Sequence, residues 1–597
     1  MDEAQRIYHR KLDGQSKTLL QAVTEYKKRY NRDPPRGFDD WWAFAKRQNF
    51  TMMDEFDSLV ADLEPFWSLS PVELRRRTSQ MGRMPSVDLV RVAKGRVYVT
   101  KVKRPGGVDR PASERATHFI MMLKPFESLL PNMDFPISTK SEGRVIVPWE
   151  HLTQPNITLQ DSSGGILSIL GKSFSEDWRG DGSVWDAFRR SCPPDSPARR
   201  LFGSVRPQAH AIQQPQNFLH TTESSSTLSP TSLNLVGLDH SPDFCNEPWG
   251  RYFQGHFFSD WRTMPALYPI FSPAKAPGFN DIVIPSHYYY GSTKRYTYGI
   301  DPVNMITKEI DNFEVDWEAK KNLIFWRGAT TGGGSSPPGF LHQYQRHRLV
   351  RMASQPTPHN TTVVFPESSA SSTSAFIATT VSTKTLNKEI FDIAFTMAIG
   401  CTQYKQGGCD EMRLDHRFAN AAFLTDHWKY KYLIDVDGMG YSAHFLAFMA
   451  SESAVMKSTV YREFFSDWIQ PWYVILHRAL VIIPFLLFSR LHYIPVSQSY
   501  AELYNIHAYF SGPSPSTIDA TRSVLRNFTA PMPPPDPTSS TTLPHEGDRR
   551  LRQIARAGRQ WKKTMTRRED MEVYVYRLCI EWARLWADDR EAAIFKI

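Results

Sequence analysis

The stretch Lys429-Tyr-Lys-Tyr-Leu-Ile-Asp-Val-Asp-Gly438, continued by Met439-Gly-Tyr-Ser-Ala-His-Phe-Leu-Ala-Phe448, decides the fold class of this chain. An apolar run of strand length, Tyr432 to Val436, meets a turn that contains glycine, and apolar residues then recur at helical spacing from Phe445. This order predicts a strand, a tight turn and a helix. The free N–H groups and the positive end of a helix dipole at such a turn are able to hold a diphosphate, although most such units in α/β proteins bind no ligand.

Six further motifs flank this stretch. They are Asp281-Ile-Val-Ile-Pro-Ser-His-Tyr-Tyr-Tyr290, Leu323-Ile-Phe-Trp-Arg-Gly-Ala-Thr-Thr-Gly-Gly-Gly334, Gln345-Arg-His-Arg-Leu-Val350, Ala454-Val-Met-Lys-Ser-Thr459, Glu463-Phe-Phe-Ser-Asp-Trp-Ile-Gln-Pro-Trp472 and His492-Tyr-Ile-Pro-Val496. In this order they resemble glycosyltransferase family 90, which comprises fungal capsule-associated (CAP-type) glycosyltransferases and the related animal protein O-glucosyltransferases. The resemblance runs from about Ser16 to Asp588.

This resemblance implies an α/β protein of GT-B type, in which two Rossmann-like domains face a cleft, with a helix-rich N-terminal extension and a C-terminal crossing helix. The expected parts are a helical segment 1–80, an acceptor-side Rossmann-like domain 81–315, a UDP-sugar-binding Rossmann-like domain 316–530, a Pro-rich linker 531–545 and a C-terminal helix 546–597. Apolar runs further predict strands at Val97–Val102, His118–Leu123 and Val145–Val147. Segment 204–235, rich in Ser, Thr, Gln and Pro, is typical of a surface loop, and the Ser/Thr-rich segment 366–385 is expected to be mobile.

Composition fits a globular enzyme of two or three domains, because 597 residues with 41% hydrophobic content can bury large cores. The net charge of +9 raises the alternative of a nucleic-acid partner. Nine Lys and Arg residues without an acid stand between Arg549 and Arg568, which equals the whole excess. One solvated basic helix face therefore explains the charge better than a polyanion site, and we expect no nucleic-acid partner.

The five cysteines contain no Cys-x-x-Cys pair, which argues against zinc and redox motifs and favours disulfides. The family resemblance implies the pairs Cys192 with Cys245 and Cys401 with Cys409, and it leaves Cys579 free. Four N-glycosylation sequons lie at Asn49, Asn156, Asn360 and Asn527. Disulfides and sequons together predict the lumen of the secretory pathway, in the Golgi or the endoplasmic reticulum.

No signal peptide or apolar span of membrane length opens this sequence, and residues 1–14 are typical of a charged helix. Fungal relatives usually begin with a short cytoplasmic tail and a single membrane anchor. The sequence leaves open whether such an anchor precedes this chain.

Residues 473–490 interrupt a family motif, because relatives read Pro-Trp-Leu-His-Tyr-Ile-Pro without a break. The inserted ten-residue apolar run, Ala479–Phe488, is too short for a membrane helix. Reverse translation of the last base of Trp472, of Tyr473 and of the start of Val474 gives the splice donor G-TA(T/C)-GT, and an AGG codon at Arg490 would supply the closing AG. We therefore favour a retained intron of 54 nucleotides over a functional insertion.

The resemblance also implies inverting, metal-independent transfer from a UDP-sugar, with UDP-xylose and UDP-glucose the favoured donors and no further cofactor. Such transfer needs a grip on the diphosphate, stabilisation of the leaving UDP and a base for the acceptor hydroxyl. Arginine suits the first two needs, because its planar fork binds phosphate oxygens in pairs. The residues implied to bind the UDP-sugar are Arg327, Ala329, Thr330, Arg346, Asp437, Gly438, Ser442, His444 and Lys457. For Arg327, a buried structural salt bridge is the alternative.

Two positions depart from the family pattern. His444 stands where relatives have an arginine, and a neutral imidazole does not replace a guanidinium on a diphosphate. Ser141 stands where relatives have the presumed catalytic aspartate, and an unassisted hydroxyl is a very weak base. Glu142 is a substitute base only if the loop is rearranged, which Gly143 would permit.

Two hypotheses therefore stand. The first is an inverting UDP-sugar glycosyltransferase that acts on a glycan or glycoprotein hydroxyl. The second is a catalytically impaired homologue that binds UDP or a glycan without efficient transfer. A P-loop phosphotransferase is excluded, because no Gly-Lys-Ser/Thr follows a glycine loop, and Lys457-Ser-Thr459 lacks the preceding glycines.

Overall fold

A computed structural model provides the structure of this chain. It describes residues 2–100, 111–153, 183–200, 243–259, 262–291, 314–332, 344–354, 359–366, 376–399, 408–471, 492–524 and 546–596. The predicted insertion 473–490, the loop 204–235 and the linker 531–545 lie outside these residues. We call residues 2–291 with the last helix the first half, and residues 314–524 with the helix that precedes the last one the second half.

The first half opens with helices, as the apolar spacing in residues 1–80 predicts. Its helices are α1 (Asp2–Asp13), α2 (Leu19–Tyr30), α3 (Phe38–Arg47), α4 (Asp57–Leu63), α5 (Pro71–Met81), α6 (Glu114–Leu123), α7 (Trp149–Thr153), α8 (Val184–Ser191) and α9 (Pro197–Arg200). Thr18 begins α2 with a capping box, in which its side chain accepts from the Gln21 N–H and the Gln21 side chain accepts in return.

The sheet of the first half is mixed. Its strands are β1 (Val87–Ala93), β2 (Arg96–Val99), β3 (Met133–Ser138), β4 (Phe271–Ser272) and β5 (Ile282–Val283), in the order β2-β1-β3-β4-β5. β3, β4 and β5 are parallel, whereas β1 is antiparallel to both of its neighbours. Three parallel strands extended by the antiparallel hairpin of β1 and β2 are compatible with an α/β domain, and the full GT-B arrangement stays a prediction.

The sheet of the second half is entirely parallel among the described strands. These are β6 (Lys321–Ala329), β9 (Phe391–Met397), β10 (Tyr430–Val436), β11 (Ala454–Ser458) and β12 (Ile494–Pro495), in the order β12-β11-β10-β6-β9. The chain thus starts at β6, moves to one side for β9 and to the other side for β10. This order is that of a doubly wound sheet, whose switch point lies between β6 and β10.

Further elements surround this sheet. They are the hairpin β7 (Asn360–Pro366) and β8 (Phe376–Ser382), and the helices α10 (Gln345–Ser354), α11 (Thr383–Ile390), α12 (Gly408–Asp415), α13 (Leu424–His427), α14 (Phe445–Phe448), α15 (Leu503–Ser511) and α16 (Pro515–Val524). The mobile segment expected at 366–385 is corrected in its described part, since residues 376–385 form β8 and the start of α11. The β-branched residues Ile377, Thr379, Thr380 and Val381, all of which pair with β7, explain the strand.

The predicted strand His118–Leu123 is wrong, because these residues form the last turns of α6. A short apolar run does not distinguish a strand from a buried helix, and the deciding signal is the N-cap. Ser113 accepts a hydrogen bond from the Ala116 N–H, and Glu114 follows it. The run Val145–Val147 likewise forms no regular strand, and it pairs only through a single bridge from Val145 to Met264.

The predicted C-terminal helix is two helices, α17 (Glu546–Met565) and α18 (Arg568–Trp586). α17 packs on the second half through Leu551 and Ile554, and its Arg552 and Arg556 pair with Glu452. α18 enters the first half. The chain therefore crosses from one half to the other at the break between the two helices.

α18 completes the core of the first half. The Arg577 guanidinium lies within 5.0 Å of the ring centroids of four aromatic residues, and its Nε donates to Glu581 at 2.9 Å. Those rings belong to Tyr26, Phe38, Trp41 and Phe56. The Trp582 Nε1 donates to the Asp134 carbonyl in β3 at 3.1 Å. The early helices and the first sheet thus share one late helix.

The residues on either side of the predicted insertion lie next to each other. The His492 N–H donates to the Gln470 carbonyl at 3.1 Å, and the Gln470 N–H donates to the His492 Nδ1 at 3.0 Å. Pro471 and Tyr493 also form a parallel bridge. Removal of residues 473–490 therefore need not move the flanking chain.

Deletion of residues 473–490 should leave the fold intact and raise the yield of soluble protein, because it removes an apolar run while the flanking hydrogen bonds remain. Thermal unfolding and size-exclusion chromatography of both forms measure this. A lower midpoint of unfolding in the shortened protein would contradict the intron hypothesis. Sequencing of the mature transcript across Trp472 tests it independently.

Candidate functional site

The switch point between β6 and β10 places polar groups at one edge of the second sheet. Arg346, in the first turn of α10, spans the two strand ends. Its guanidinium donates to the Ala329 carbonyl at 3.3 Å, to the Thr331 Oγ1 at 2.7 Å and to the Val436 carbonyl at 3.3 Å. These three acceptors are neutral, and they fix the orientation of the fork at the strand ends. Ligands of doubly wound sheets bind at this kind of crevice.

The turn after β10 is held from two sides. The Asp437 carboxylate accepts from the Thr459 Oγ1 at 2.6 Å and from the Val460 N–H at 2.8 Å. A Cβ at Gly438 would lie 3.1 Å from the Arg346 Nη2, which is tighter than most side-chain contacts. Glycine at 438 therefore lets the guanidinium lie directly against the backbone.

A buried charge cluster lies beneath this turn. The Asp435 carboxylate accepts from the Ser442 hydroxyl and from the Lys457 Nζ, the latter at 3.0 Å. Lys457 also lies 3.5 Å from the Glu463 carboxylate and 4.1 Å from the centroid of the Phe445 ring. Burial raises the pKa of Asp437 and of Glu463 to about 7 each, against the nearby Lys457 charge.

His444 stands directly before α14, with its ring stacked on Phe448 at 5.7 Å. Burial lowers the pKa of His444 to about 4, the Asp435 charge opposes this shift and the Arg346 charge adds to it. The imidazole is therefore neutral at pH 7. α14 has only four residues, so the helix dipole that the sequence pattern suggested is small at this turn.

The implied donor-binding residues do not all meet at the switch point. The structure brings Ala329, Thr330, Arg346, Asp437, Gly438, Ser442, His444 and Lys457 together there. The Arg327 guanidinium instead donates to the Asp392 carboxylate at 2.7 Å and stacks on the Phe325 ring at 4.5 Å. This is the structural salt bridge that the residues alone left open.

The loop after β3 in the first half meets the turn of the second half. A Cβ at Gly440 would lie 2.5 Å from the Ser141 carbonyl oxygen, so only glycine allows this approach. The Ser141 Oγ accepts from the Arg115 Nη2 at 3.1 Å. The Glu142 carboxylate lies 3.4 Å from the Arg144 Nη2. Ser141 thus lies against the turn of the candidate site through its backbone, and Glu142 is held by an arginine.

Sequence patterns did not indicate the contribution of Gln345 and of the segment Gln254–Ser259. The Gln345 Nε2 donates to the Gly438 carbonyl at 2.9 Å, and its Oε1 accepts from the Gly255 N–H at 3.0 Å. Gln345 directly precedes Arg346 in the motif Gln345–Val350, so the sequence could have suggested a place for it near the site. The segment 254–259 carries no spacing signal and reaches the site only through the tertiary fold.

The disulfide between Cys192 and Cys245 is present, as predicted, and Cys579 is free and buried. Cys409 is disulfide-bonded, and its predicted partner Cys401 lies outside the described residues. The sequon residues Asn49 and Asn360 are exposed, whereas Asn156 and Asn527 fall outside the described part of the chain.

Within the described ranges, no group of three or more His, Cys, Asp or Glu residues is arranged to hold a metal ion. Nor does any helix in this part of the chain have the length and apolarity needed to cross a membrane.

Residues 258–478 match the family model described as Glycosyl transferase family 90. The match contains the whole switch point, and Ser141 and Glu142 lie before it. No curated protein matches the chain. The family match confirms the resemblance read from the flanking motifs. Together with the disulfide, it indicates a transferase of the secretory pathway.

The buried carboxyl of Asp437 should make stability fall as pH rises. Its folded pKa of about 7 lies above the unfolded value near 4, so the folded state keeps the proton to a higher pH than the unfolded state does. The free energy of unfolding therefore decreases as the pH rises from about 4 to about 7. Asp437→Asn should make this dependence shallower by up to about 1.4 kcal/mol for each pH unit, and the part contributed by Glu463, whose pKa is also about 7, should remain. The free energy of unfolding in urea from pH 5 to 8 measures it.

Asp392→Asn is the matched control for this experiment. Although burial opposes it, hydrogen bonds from Arg327 and Tyr430 lower the pKa of Asp392, so both folded and unfolded states are ionised above pH 5. The change in the free energy of unfolding caused by Asp392→Asn should therefore be the same throughout that pH range. Equal pH profiles for Asp437→Asn and the unchanged protein would refute the buried-carboxyl assignment.

Proposed function

We propose that this chain, a member of glycosyltransferase family 90 through residues 258–478, moves a sugar from a UDP-sugar to a hydroxyl of a glycan or glycoprotein. Membership of the family supports sugar transfer as the reaction class. Xylose and glucose are the sugars we favour, with inversion at the anomeric carbon and without a metal ion. These finer properties rest on the family resemblance of the flanking motifs.

The observation that carries the proposal is the Arg346 fork at the switch point. In our proposal the diphosphate lies against Arg346 and the turn that begins at Asp437, and the fork stabilises the charge on the leaving UDP. Lys457 is buried against Asp435 and Glu463, so we assign it to holding the turn rather than to touching phosphate.

The acceptor hydroxyl needs a base, and Ser141 supplies none. Arg115 donates to the Ser141 side chain, which is where a carboxylate would be held ionised if an aspartate stood there. Glu142 is bound by Arg144 instead. This observation favours, as the second candidate function, an impaired homologue that binds UDP and transfers sugar slowly.

For the compartment we propose the lumen of the Golgi or the endoplasmic reticulum. The Cys192–Cys245 disulfide and the two exposed sequons support this location. The partners in this proposal are the UDP-sugar donor and a glycan or glycoprotein acceptor.

UDP affinity should depend on Arg346 and should improve when His444 becomes an arginine. Arg346→Gln should weaken UDP binding by at least about tenfold, since a charge-assisted hydrogen bond contributes about 1.5 to 3 kcal/mol. His444→Arg should strengthen it by a similar factor, because the native imidazole is neutral. Isothermal titration calorimetry with UDP measures both. Arg417→Gln, which removes a different arginine of the second half, is the control and should change nothing.

Ser141→Asp should raise the rate of sugar transfer by about 10² to 10⁴ without changing UDP affinity, because it supplies the missing base. Ser141→Asn is the matched control, having the same shape without a base. Product formation over a panel of UDP-sugars gives the rates. If the native protein already transfers sugar rapidly and Glu142→Gln abolishes the transfer, then Glu142 is the base and the hypothesis of a catalytically impaired homologue is wrong.

A further inference from the structure

Buried polar atoms without a partner are concentrated in the segment Gln254–Ser259. They are the Oε1 of Gln254, both ring nitrogens of His256 and the Oγ of Ser259. These three residues are 1%, 3% and 2% exposed. Folded proteins leave few such atoms unsatisfied, because each has lost its hydrogen bond to water without replacement. Four of them within six residues call for a common partner.

The segment adjoins the proposed diphosphate turn through two contacts. Gln345 accepts from the Gly255 N–H and donates to the Gly438 carbonyl, so one side chain joins the segment to the turn. The His256 ring lies 5.8 Å from the Tyr461 ring, and the Tyr461 hydroxyl donates to the Met439 carbonyl at 3.3 Å. His256 therefore lies one side chain away from the turn proposed to hold the diphosphate.

The chemistry of these atoms identifies the class of partner. Burial lowers the pKa of His256 to about 3, so the ring is neutral and offers one donor and one acceptor. The Gln254 Oε1 only accepts, and the Ser259 hydroxyl both donates and accepts. An anion would need donors alone. Alcohol groups, which donate and accept together, match this uncharged mixture.

We propose that Gln254–Ser259 forms a subsite for the hydroxyl groups of a sugar ring, with His256 as its principal contact. The proposal rests on the proposed function and names the part of the site that takes the sugar. The nearby turn, which is proposed to hold the diphosphate, favours the sugar ring of the donor as the occupant of the subsite. The acceptor sugar has the same hydroxyl chemistry, so the experiment distinguishes the two. Because the nitrogens are buried, a ring reaches them only when the side chains packed around His256 move.

Calorimetry with UDP, UDP-glucose and UDP-xylose tests the subsite. His256→Phe keeps the aromatic packing and removes both nitrogens. It should leave UDP affinity unchanged and weaken the binding of at least one UDP-sugar by about tenfold, as the loss of two hydrogen bonds implies. His256→Gln, which keeps a donor and an acceptor, should restore part of the loss.

His507→Phe is the matched control. His507 is also buried with a lowered pKa, and its Nε2 donates to the Asn322 carbonyl. Asn322 lies at the amino end of β6, whereas the candidate site lies at the carboxyl end of that strand. Its replacement should lower the midpoint of unfolding without changing the binding of UDP or UDP-sugars.

A second arm identifies the source of the ring. Saturation-transfer NMR with glucose, xylose, mannose and galactose, added to the UDP complex, should show binding that His256→Phe abolishes if the acceptor occupies the subsite. If UDP binds and His256→Phe changes neither arm, the nitrogens hold structural water and the inference is overturned. If UDP itself does not bind the unchanged protein, the proposed function fails, a result distinct from the failure of the subsite.

Discussion

The buried ion pair between Asp435 and Lys457 is the contact on which the candidate site depends. The two residues are direct partners in the parallel pairing of β10 with β11, and both are almost fully buried. A buried carboxylate is tolerated when it is paired and hydrogen-bonded, and Asp435 gains both from Lys457 and Ser442. Because Ser442 lies beyond the turn, its hydrogen bond to Asp435 holds the turn over the end of the sheet. The approach of Gly438 to Arg346 and of Gly440 to Ser141 follows from that path.

The sequence was most informative where local signals and tertiary context agree. β10 and its glycine turn were predictable, since a buried parallel strand is continuously apolar. The run His118–Leu123 was misread because a buried helix face and a buried strand have the same composition over six residues. The division of the last helix at residues 566–567 was also missed, because basic and amphipathic residues continue across it. The paired β6–β10 switch point depends on strand order, which no single segment encodes.

The candidate site was predictable to the extent that its residues lie in motifs. Arg346 and Asp437 belong to such motifs and meet at the strand ends. Arg327 belongs to one too, yet its side chain lies along the sheet and pairs with Asp392 of the neighbouring strand β9. His256 was invisible to pattern, since its significance is its burial without a partner. Burial of the ring without a partner arises only when the two halves pack together, so the spacing of residues in the sequence does not indicate it.

The position of α18 has a consequence for biosynthesis. The rings of Trp41 and Phe56 close around Arg577, more than five hundred residues later in the chain. At about 5 to 20 residues per second, a ribosome needs roughly 15 to 60 s to travel from the last strand of the first sheet to α18. Throughout that interval the first sheet and its early helices exist without the helix that fills their core. The core of the first domain to emerge is therefore completed last, after the domain that is translated second.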